Sequence, residues 1–153
     1  MISRKTKYAL KALINLAGQP ADVPVLISEL AKQEQIPRKF LEAILLSLKN
    51  VGLLQSKIGK GGGYSLAKPP RDISIGIIVK TLEGGYAPLQ CLNDSLNPGC
   101  DECNEPSSCG IHLVMSDVML AISSVLETTT LADMIERSDN AKRASAKVVD
   151  FSI

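Results

Sequence analysis

The sequence predicts a mostly α-helical chain: a helix-turn-helix head with a β-hairpin attached, a cysteine-bearing loop, and a long C-terminal helix. Three observations predict it. Apolar residues recur at helical spacing through most of the chain. A glycine-rich hairpin pattern follows directly on two short helices. Four cysteines and the only histidine among 153 residues are confined to one polar stretch, Cys91-x8-Cys100-x2-Cys103-x5-Cys109-x2-His112.

The first helix is set by Ala9, Ala12, Leu13, Leu16 and Ala17, which share one helical face, and it stops at Gly18 and Pro20. A second short helix runs from Ser28, a side chain suited to the N-cap, through Gln33. A tight turn, Glu34-Gln35-Ile36, leads to Pro37 at the first position of a third helix ending near Val51. Its expected buried face is Phe40, Leu41, Ile44, Leu45, Leu48 and Val51, and its open face carries Arg38, Lys39, Glu42, Ser47 and Lys49. Leu53–Lys57 and Tyr64–Ala67 read as strands joined by Ile58-Gly59-Lys60-Gly61-Gly62-Gly63. Two helices across a tight turn, the second basic at its start and followed by a basic hairpin, make a winged helix-turn-helix. A phosphate-binding P-loop would need G-x-x-x-x-G-K-[ST] leading into a helix, whereas this loop leads into a strand.

Pro69-Pro70 closes the head. Ser74 is placed to cap a helix through Leu82, with Ile77, Ile78 and Leu82 on one side, ended by Gly84-Gly85. Residues 71–90 are thus a connecting helix and residues 91–110 a cysteine-rich loop. From Ile111 the helical period returns with Val114, Val118, Ile122 and Val125. That apolar surface is wide for a helix with no large domain to cover it, and such a helix often packs against a second copy. Thr130–Ile135 reads as a short capped helix, and residues 138–153 as a polar, frayed tail. No apolar run near 18 residues is evident, so neither a membrane span nor a secretion signal is expected, and the compartment is a reducing cytoplasm.

The segment between Cys91 and Cys109 is rich in Asn, Asp, Ser, Pro and Gly and cannot fold around a core of its own. A bound metal centre would order it, and thiolate and imidazole are the ligands that iron–sulfur clusters and zinc select. Disulfides are the alternative, disfavoured in a reducing compartment. Cys100-x2-Cys103 is half of a zinc-ribbon pattern, but Cys91 and Cys109 do not form a second close pair. A thiol redox enzyme would need a thioredoxin-like βαβ context, and Asp101 and Glu102 between the thiols would oppose thiolate formation.

The net charge of +1 conceals a split. Residues 1–70 carry 11 Lys and Arg against 4 Asp and Glu, whereas residues 71–153 carry 6 against 12. A basic head suits a polyanion. With a single histidine and no nucleotide motif, no enzymatic turnover is expected.

In order along the chain stand Tyr8-Ala9-Leu10-Lys11-Ala12-Leu13, Ile36-Pro37-Arg38-Lys39-Phe40-Leu41-Glu42, Leu48-Lys49-Asn50-Val51-Gly52-Leu53, Gly61-Gly62-Gly63-Tyr64-Ser65-Leu66-Ala67, Leu82-Glu83-Gly84 and the cysteine segment. In these the chain resembles the IscR/NsrR/CymR-type winged-helix transcription regulators over about residues 1–135. The resemblance implies a homodimer held by the long helix, with Val114, Val118, Ile122 and Val125 at the seam. It implies binding to double-stranded DNA at a palindromic or near-palindromic operator, most simply as a repressor. Arg38, Lys39 and Glu42 would meet the major groove, and Lys57, Lys60, Gly61 and Gly62 would bring the wing to the backbone. It also implies an iron–sulfur cluster, 2Fe–2S or 4Fe–4S, that senses iron, redox state or nitric oxide. Its ligands would be Cys91, Cys103 and Cys109, with His112 or Cys100 as the fourth. Some relatives lack a cluster and respond to a small molecule or a partner protein.

Three departures stand out. The family's cysteine loop is close to C-x5-C-x5-C-x2-H, whereas here eleven residues separate Cys91 from Cys103 and Cys100 is extra. Family wings often place arginine where this chain has Ile58. An N-terminal carboxylate ligand used by some relatives has no counterpart in Lys5-Thr6-Lys7-Tyr8.

Overall fold

A computed structural model of the chain describes residues 2–93 and 106–150. Its elements are α1 (Arg4–Ala17), α2 (Ile27–Glu34), α3 (Arg38–Asn50), β1 (Leu54–Lys57), β2 (Gly63–Leu66), α4 (Ile75–Glu83), α5 (Gly110–Thr128) and α6 (Leu131–Asp150). Short 3-10 turns cover Pro70–Asp72, Gln90–Leu92 and Pro106–Ser108.

One apolar core joins α1, α2, α3, the hairpin, α4 and the first residue of α6. Ala9, Leu13, Leu30, Leu41, Ile44, Leu45, Leu48, Ile78 and Leu131 are fully buried in it. The i, i+3, i+4 spacing of Leu41, Ile44, Leu45 and Leu48 makes α3 the central rod of this core. Two expected members of its buried face are not buried. Phe40 is 44% exposed, lying at the flank of the stripe with its ring edge-on to Tyr8 at 5.8 Å. Val51 is likewise open, because it is the C-cap residue where the chain leaves the helix. On α4, Ile78, Val79 and Leu82 are buried while Ile77 faces outward.

Local chemistry explains most ends. Ser3 caps α1 by accepting from the Thr6 N–H, and Ser74 caps α4 by accepting from the Ile77 N–H at 3.2 Å. Two expected starts shift, the first by two residues and the second by one. Leu26, not Ser28, is the N-cap of α2, and Pro37 is the N-cap of α3 rather than its first helical residue. The turn between α2 and α3 rests on Gln35 in the left-handed region (φ 55°) and on the Ile36 N–H donating to the Ala31 carbonyl at 2.9 Å. It is braced from α1: Lys11 Nζ donates to the Glu34 carbonyl at 2.7 Å, and Asn15 Nδ2 donates to Gln33 and Glu34.

The hairpin pairs Leu54 with Leu66 and Lys57 with Gly63 in antiparallel register. Val25 exchanges both backbone hydrogen bonds with Tyr64, at 2.8 and 2.9 Å, adding a one-residue third strand. Gly63 is required there, since a Cβ would meet the Val25 carbonyl oxygen at 2.2 Å.

At the other end, the Ile75 N–H donates to the Thr129 carbonyl and the Leu131 N–H to Ile73, both at 2.8 Å. Thr130 and Asp133 form a reciprocal cap that starts α6. That helix corrects the expected tail. It runs unbroken to Asp150 because residues 131–150 hold neither Gly nor Pro and are rich in Ala, Lys and Arg, with Lys142 and Asp139 paired at 3.6 Å.

Helix α5 buries none of its residues within the chain. Its 19 residues are long and apolar enough by length and composition to cross a bilayer, which corrects the expectation that no such stretch exists. The C-terminal end of α5 is tied to the head. Lys80 on α4 pairs with Glu127, and a Cβ on Gly76 would meet Tyr86 Oη at 2.5 Å and Glu127 Cγ at 2.9 Å.

Candidate functional site

The head presents its basic groups at the start of α3 and along the hairpin. Arg38 and Lys39 open α3 with no acidic residue in the first turn. Cations at a helix N-terminus oppose the helix dipole, so these two do not serve the helix's own stability. Both are exposed. Glu42 lies one turn later and accepts from Arg38 Nε at 3.1 Å, an exposed i,i+4 pair. The expectation treated Arg38 and Glu42 as separate readers; the structure joins them. Holding Nε leaves the two terminal nitrogens of the guanidinium to donate outward in a fork.

On the wing, Lys57 closes β1, and Lys60 and Gly61 lie in the loop, all three exposed. Gly62 is buried: a Cβ there would meet the Lys57 carbonyl oxygen at 2.3 Å, so it shapes the loop rather than offering a surface. Ile58 projects between the lysines, 95% exposed.

The cysteine segment is described at its two ends. Cys91 is half-buried in the turn Gln90–Leu92, which packs against α5. Cys109 is half-buried at the N-cap of α5, and the preceding turn Pro106–Ser108 packs on the same helix. His112 lies in the first turn of α5, its Nδ1 buried and without a hydrogen-bond partner among the described residues. Cys100 and Cys103 lie outside the described residues, and among the described residues no group of three or more metal-binding side chains is assembled. The donors that are described nevertheless fit a metal centre. An orphaned imidazole nitrogen is costly unless something accepts or ligates there, and thiol and imidazole are soft-metal donors.

Sequence reasoning missed one tie between this region and the head. Glu83 ends α4, where a carboxylate opposes the helix dipole. It is retained because Oε1 accepts from the Ser3 N–H (2.9 Å), Ser3 Oγ (2.6 Å) and Thr6 Oγ1 (2.5 Å), with Thr6 fully buried. Burial pushes its pKa up, but the hydrogen bonds from Ser3 and Thr6 outweigh this and hold it below the ordinary value. An acid at the last position of a helix was the available signal. Nearby, the hydrogen bond from Lys80 to Glu127 raises the Lys80 pKa, and burial raises that of Tyr86, over whose ring the Lys80 ammonium lies at 5.1 Å.

The four valines and isoleucines expected at a seam, Val114, Val118, Ile122 and Val125, are open on α5, between 39% exposed at Val118 and 59% at Val125. Ile122 and Val125 also line an apolar hollow of about 490 Å³ with Ile2, Val79 and Leu126.

Comparison with known proteins agrees with this geometry. The family model described as Rrf2, iron-dependent transcriptional regulator, matches residues 2–137. An rrf2-like helix-turn-helix-type transcriptional regulator of Rhodobacter capsulatus is 40% identical over 146 residues, 94% of this chain and 97% of its own length. Among solved structures, T. potens IscR superposes with a TM-score of 0.71 at 30% identity, covering 92% of this chain and 90% of that one. CymR, the global cysteine regulator of B. subtilis, gives 0.69 at 29% identity, covering 90% and 97%.

Proposed function

The chain belongs to the Rrf2 family of helix-turn-helix transcriptional regulators, and we propose that it binds operator DNA as a homodimer under the control of an iron–sulfur cluster. Cys91, Cys103 and Cys109 supply the thiolates, and His112 is the fourth ligand, with Cys100 as its competitor. The observation that carries the cluster reading is the buried His112 Nδ1, unpartnered among the described residues, three residues after Cys109 at the start of α5. Residues three apart share a helix face, so the two donors can serve one centre. When bound, the cluster supplies a redox-active, exchangeable iron centre, the chemistry that answers to iron supply, redox state or nitric oxide.

The rest of the mechanism belongs to the chain's own side chains. The apolar stripe of α5 is covered by the same stripe of a second copy, which makes a bilayer unnecessary to explain it and holds two heads at fixed spacing. Twofold symmetry then calls for a palindromic or near-palindromic site. The N-terminal end of α3 enters the major groove, where Arg38 or Lys39 donates to guanine or phosphate and Glu42 accepts from cytosine. Lys57 and Lys60 attract phosphate without regard to sequence. Glu83 links α4, from which the cysteine segment departs, to Ser3 and Thr6 of α1, which braces the recognition turn through Lys11 and Asn15. DNA as the target places this work in the cytoplasm.

Anaerobic purification with iron and sulfide counted per chain tests the proposal. A brown protein whose colour is lost on Ser substitution of Cys91, Cys103 or Cys109 supports it, and His112→Ala should shift the spectrum and lower the cluster's retention. If His112→Ala is silent and Cys100→Ser bleaches the protein, the fourth ligand is Cys100. A colourless, zinc-loaded chain would make the centre structural. A colourless, metal-free chain that still binds its operator would favour the alternative of cluster-free control, to which the likeness to the cysteine regulator CymR points.

A further inference from the structure

Ile58 is the most exposed large apolar side chain among the described residues, at 95%. A single open apolar residue is ordinary on a protein surface, but the setting of this one is not. Its base is rigid. The hairpin register ends at Lys57–Gly63, the Val25–Tyr64 bridge backs the hairpin, and the Gly62 N–H closes the loop onto the Gly59 carbonyl at 3.0 Å. Gly59 (φ 100°) and Gly61 (φ 76°) take left-handed conformations that fix the turn. Its neighbours along the chain are cationic, although one carboxylate, Asp22, does reach the hairpin and accepts from Gln55 Nε2 at 3.3 Å. No acidic residue occurs between Glu42 and Asp72, while Lys49, Lys57, Lys60, Lys68 and Arg71 do. Its side chain is β-branched and stiff, so little freedom is lost when it makes contact.

We propose that Ile58 is an apolar reader of the minor groove, resting on the DNA-binding reading above. Lys57 and Lys60 draw the wing onto the phosphates, and Ile58 packs against the groove floor between them. Isoleucine is among the apolar side chains suited to entering a minor groove. An apolar contact is selective here for a physical reason. A·T and T·A pairs present only acceptors on that floor, whereas G·C adds the projecting 2-amino donor. Ile58 can neither accept from that donor nor leave it wet, so G·C is penalised relative to A·T beneath the wing. The wing of this chain thereby reads sequence as well as attracting charge.

The test uses the full chain and a duplex site selected by the wild-type protein from a random pool. At each position flanking the half-site cores, A·T is replaced by G·C and, separately, by inosine·C, which keeps the major-groove face of G·C but lacks the amino group. Wild type should lose about tenfold on G·C at one or two flanking positions, as one buried unpaired donor per contact would give, and recover on inosine·C. Ile58→Ala should keep the wild-type salt slope and core preference yet bind the A·T and G·C flanks alike, and Ile58→Val should retain most of the discrimination. Equal discrimination by Ile58→Ala and wild type, inosine·C binding as poorly as G·C, or flanks indifferent to base identity would each overturn the inference while leaving operator binding intact. If the wild-type chain selects no sequence at all, the DNA-binding reading falls and this inference falls with it.

Discussion

Arg38 and Glu42 hold each other at the start of α3. Their 3.1 Å contact is exposed on both sides and contributes little to stability, about 0.3–0.5 kcal/mol for such a helix pair, so under the proposed reading its part is to orient the guanidinium. Removing Glu42 therefore has two effects of opposite sense. An anion that repels phosphate unless it finds a cytosine amino group is lost, and Arg38 is released to choose among acceptors. Glu42→Ala should bind its operator as well as wild type or better, while accepting more than one base at a single position in each half-site. Lys60→Ala is the contrasting case. A point charge on the wing loop specifies no base, so its loss should weaken all duplexes about equally and reduce the slope of log K against log salt by about 0.9 for one phosphate contact. Competition against a site library separates the two. A changed base preference for Lys60→Ala with an unchanged one for Glu42→Ala would exchange their roles.

Between elements, the most telling contact joins α1 to the end of α4 through Glu83, Ser3 and Thr6. The Glu83 pKa lies below its ordinary value of 4.5 in the folded chain, so the charged carboxylate favours folding. That contribution is fully present above the unfolded pKa and is lost as pH falls through the lower, folded one. Asp133 is also held low, by the Thr130 backbone N–H and hydroxyl, so the wild-type curve contains both. Urea unfolding of wild type and Glu83→Gln from pH 7 down to pH 3 isolates the first: the gap between the curves should narrow below about pH 4.5. Parallel curves over that range would show that the carboxylate charge does not matter to the tie. This contact was invisible to periodicity, because it joins residues about 80 positions apart. What periodicity carries is the buried stripe within a helix, and so Ala9, Leu13, Leu41, Ile44, Leu45 and Leu48 were legible while the flanking Phe40 and terminal Val51 were not. The wing strands and the Ser74 cap were equally legible from their own residues. The Val25–Tyr64 bridge was not, since a one-residue strand has no pattern. The length of α6 was less legible, because the polar run from Ser138 reads as a tail whereas its freedom from Gly and Pro and its helix-forming residues carry the helix on. Arg38 and Glu42 could be nominated at the candidate site from their place on α3, but their mutual pairing needed three-dimensional rotamers.

At the scale of the whole molecule, a helix of 19 residues that buries none of them within its own chain is the feature left to explain. Val118 and Ile122 lie one turn apart, and Val114 and Val125 extend the same open surface toward either end. Neither end of α5 is free. The Cys109 N-cap starts it, and the Lys80–Glu127 pair with the Thr129–Ile75 hydrogen bond fixes its end to the head. A second copy packed on the stripe would therefore set the separation of two heads rigidly and place both cysteine segments on one scaffold. Covering the stripe also removes apolar surface from water, at about 25 cal/mol per Å². An aspartate introduced at Val118 or Ile122 would be buried twice in a symmetric seam, each unpaired charge costing about 3–5 kcal/mol. Sedimentation velocity of either variant should then show a monomer at concentrations where wild type is a dimer. Its circular dichroism should remain near wild type, because Val118 and Ile122 are open in the single chain, while the α5 residue that packs on the core is Leu126. Operator affinity should fall steeply while binding to a single half-site is kept. A variant that stays dimeric would move the seam away from this stripe, and one that also loses half-site binding would show that the head depends on α5 for its fold.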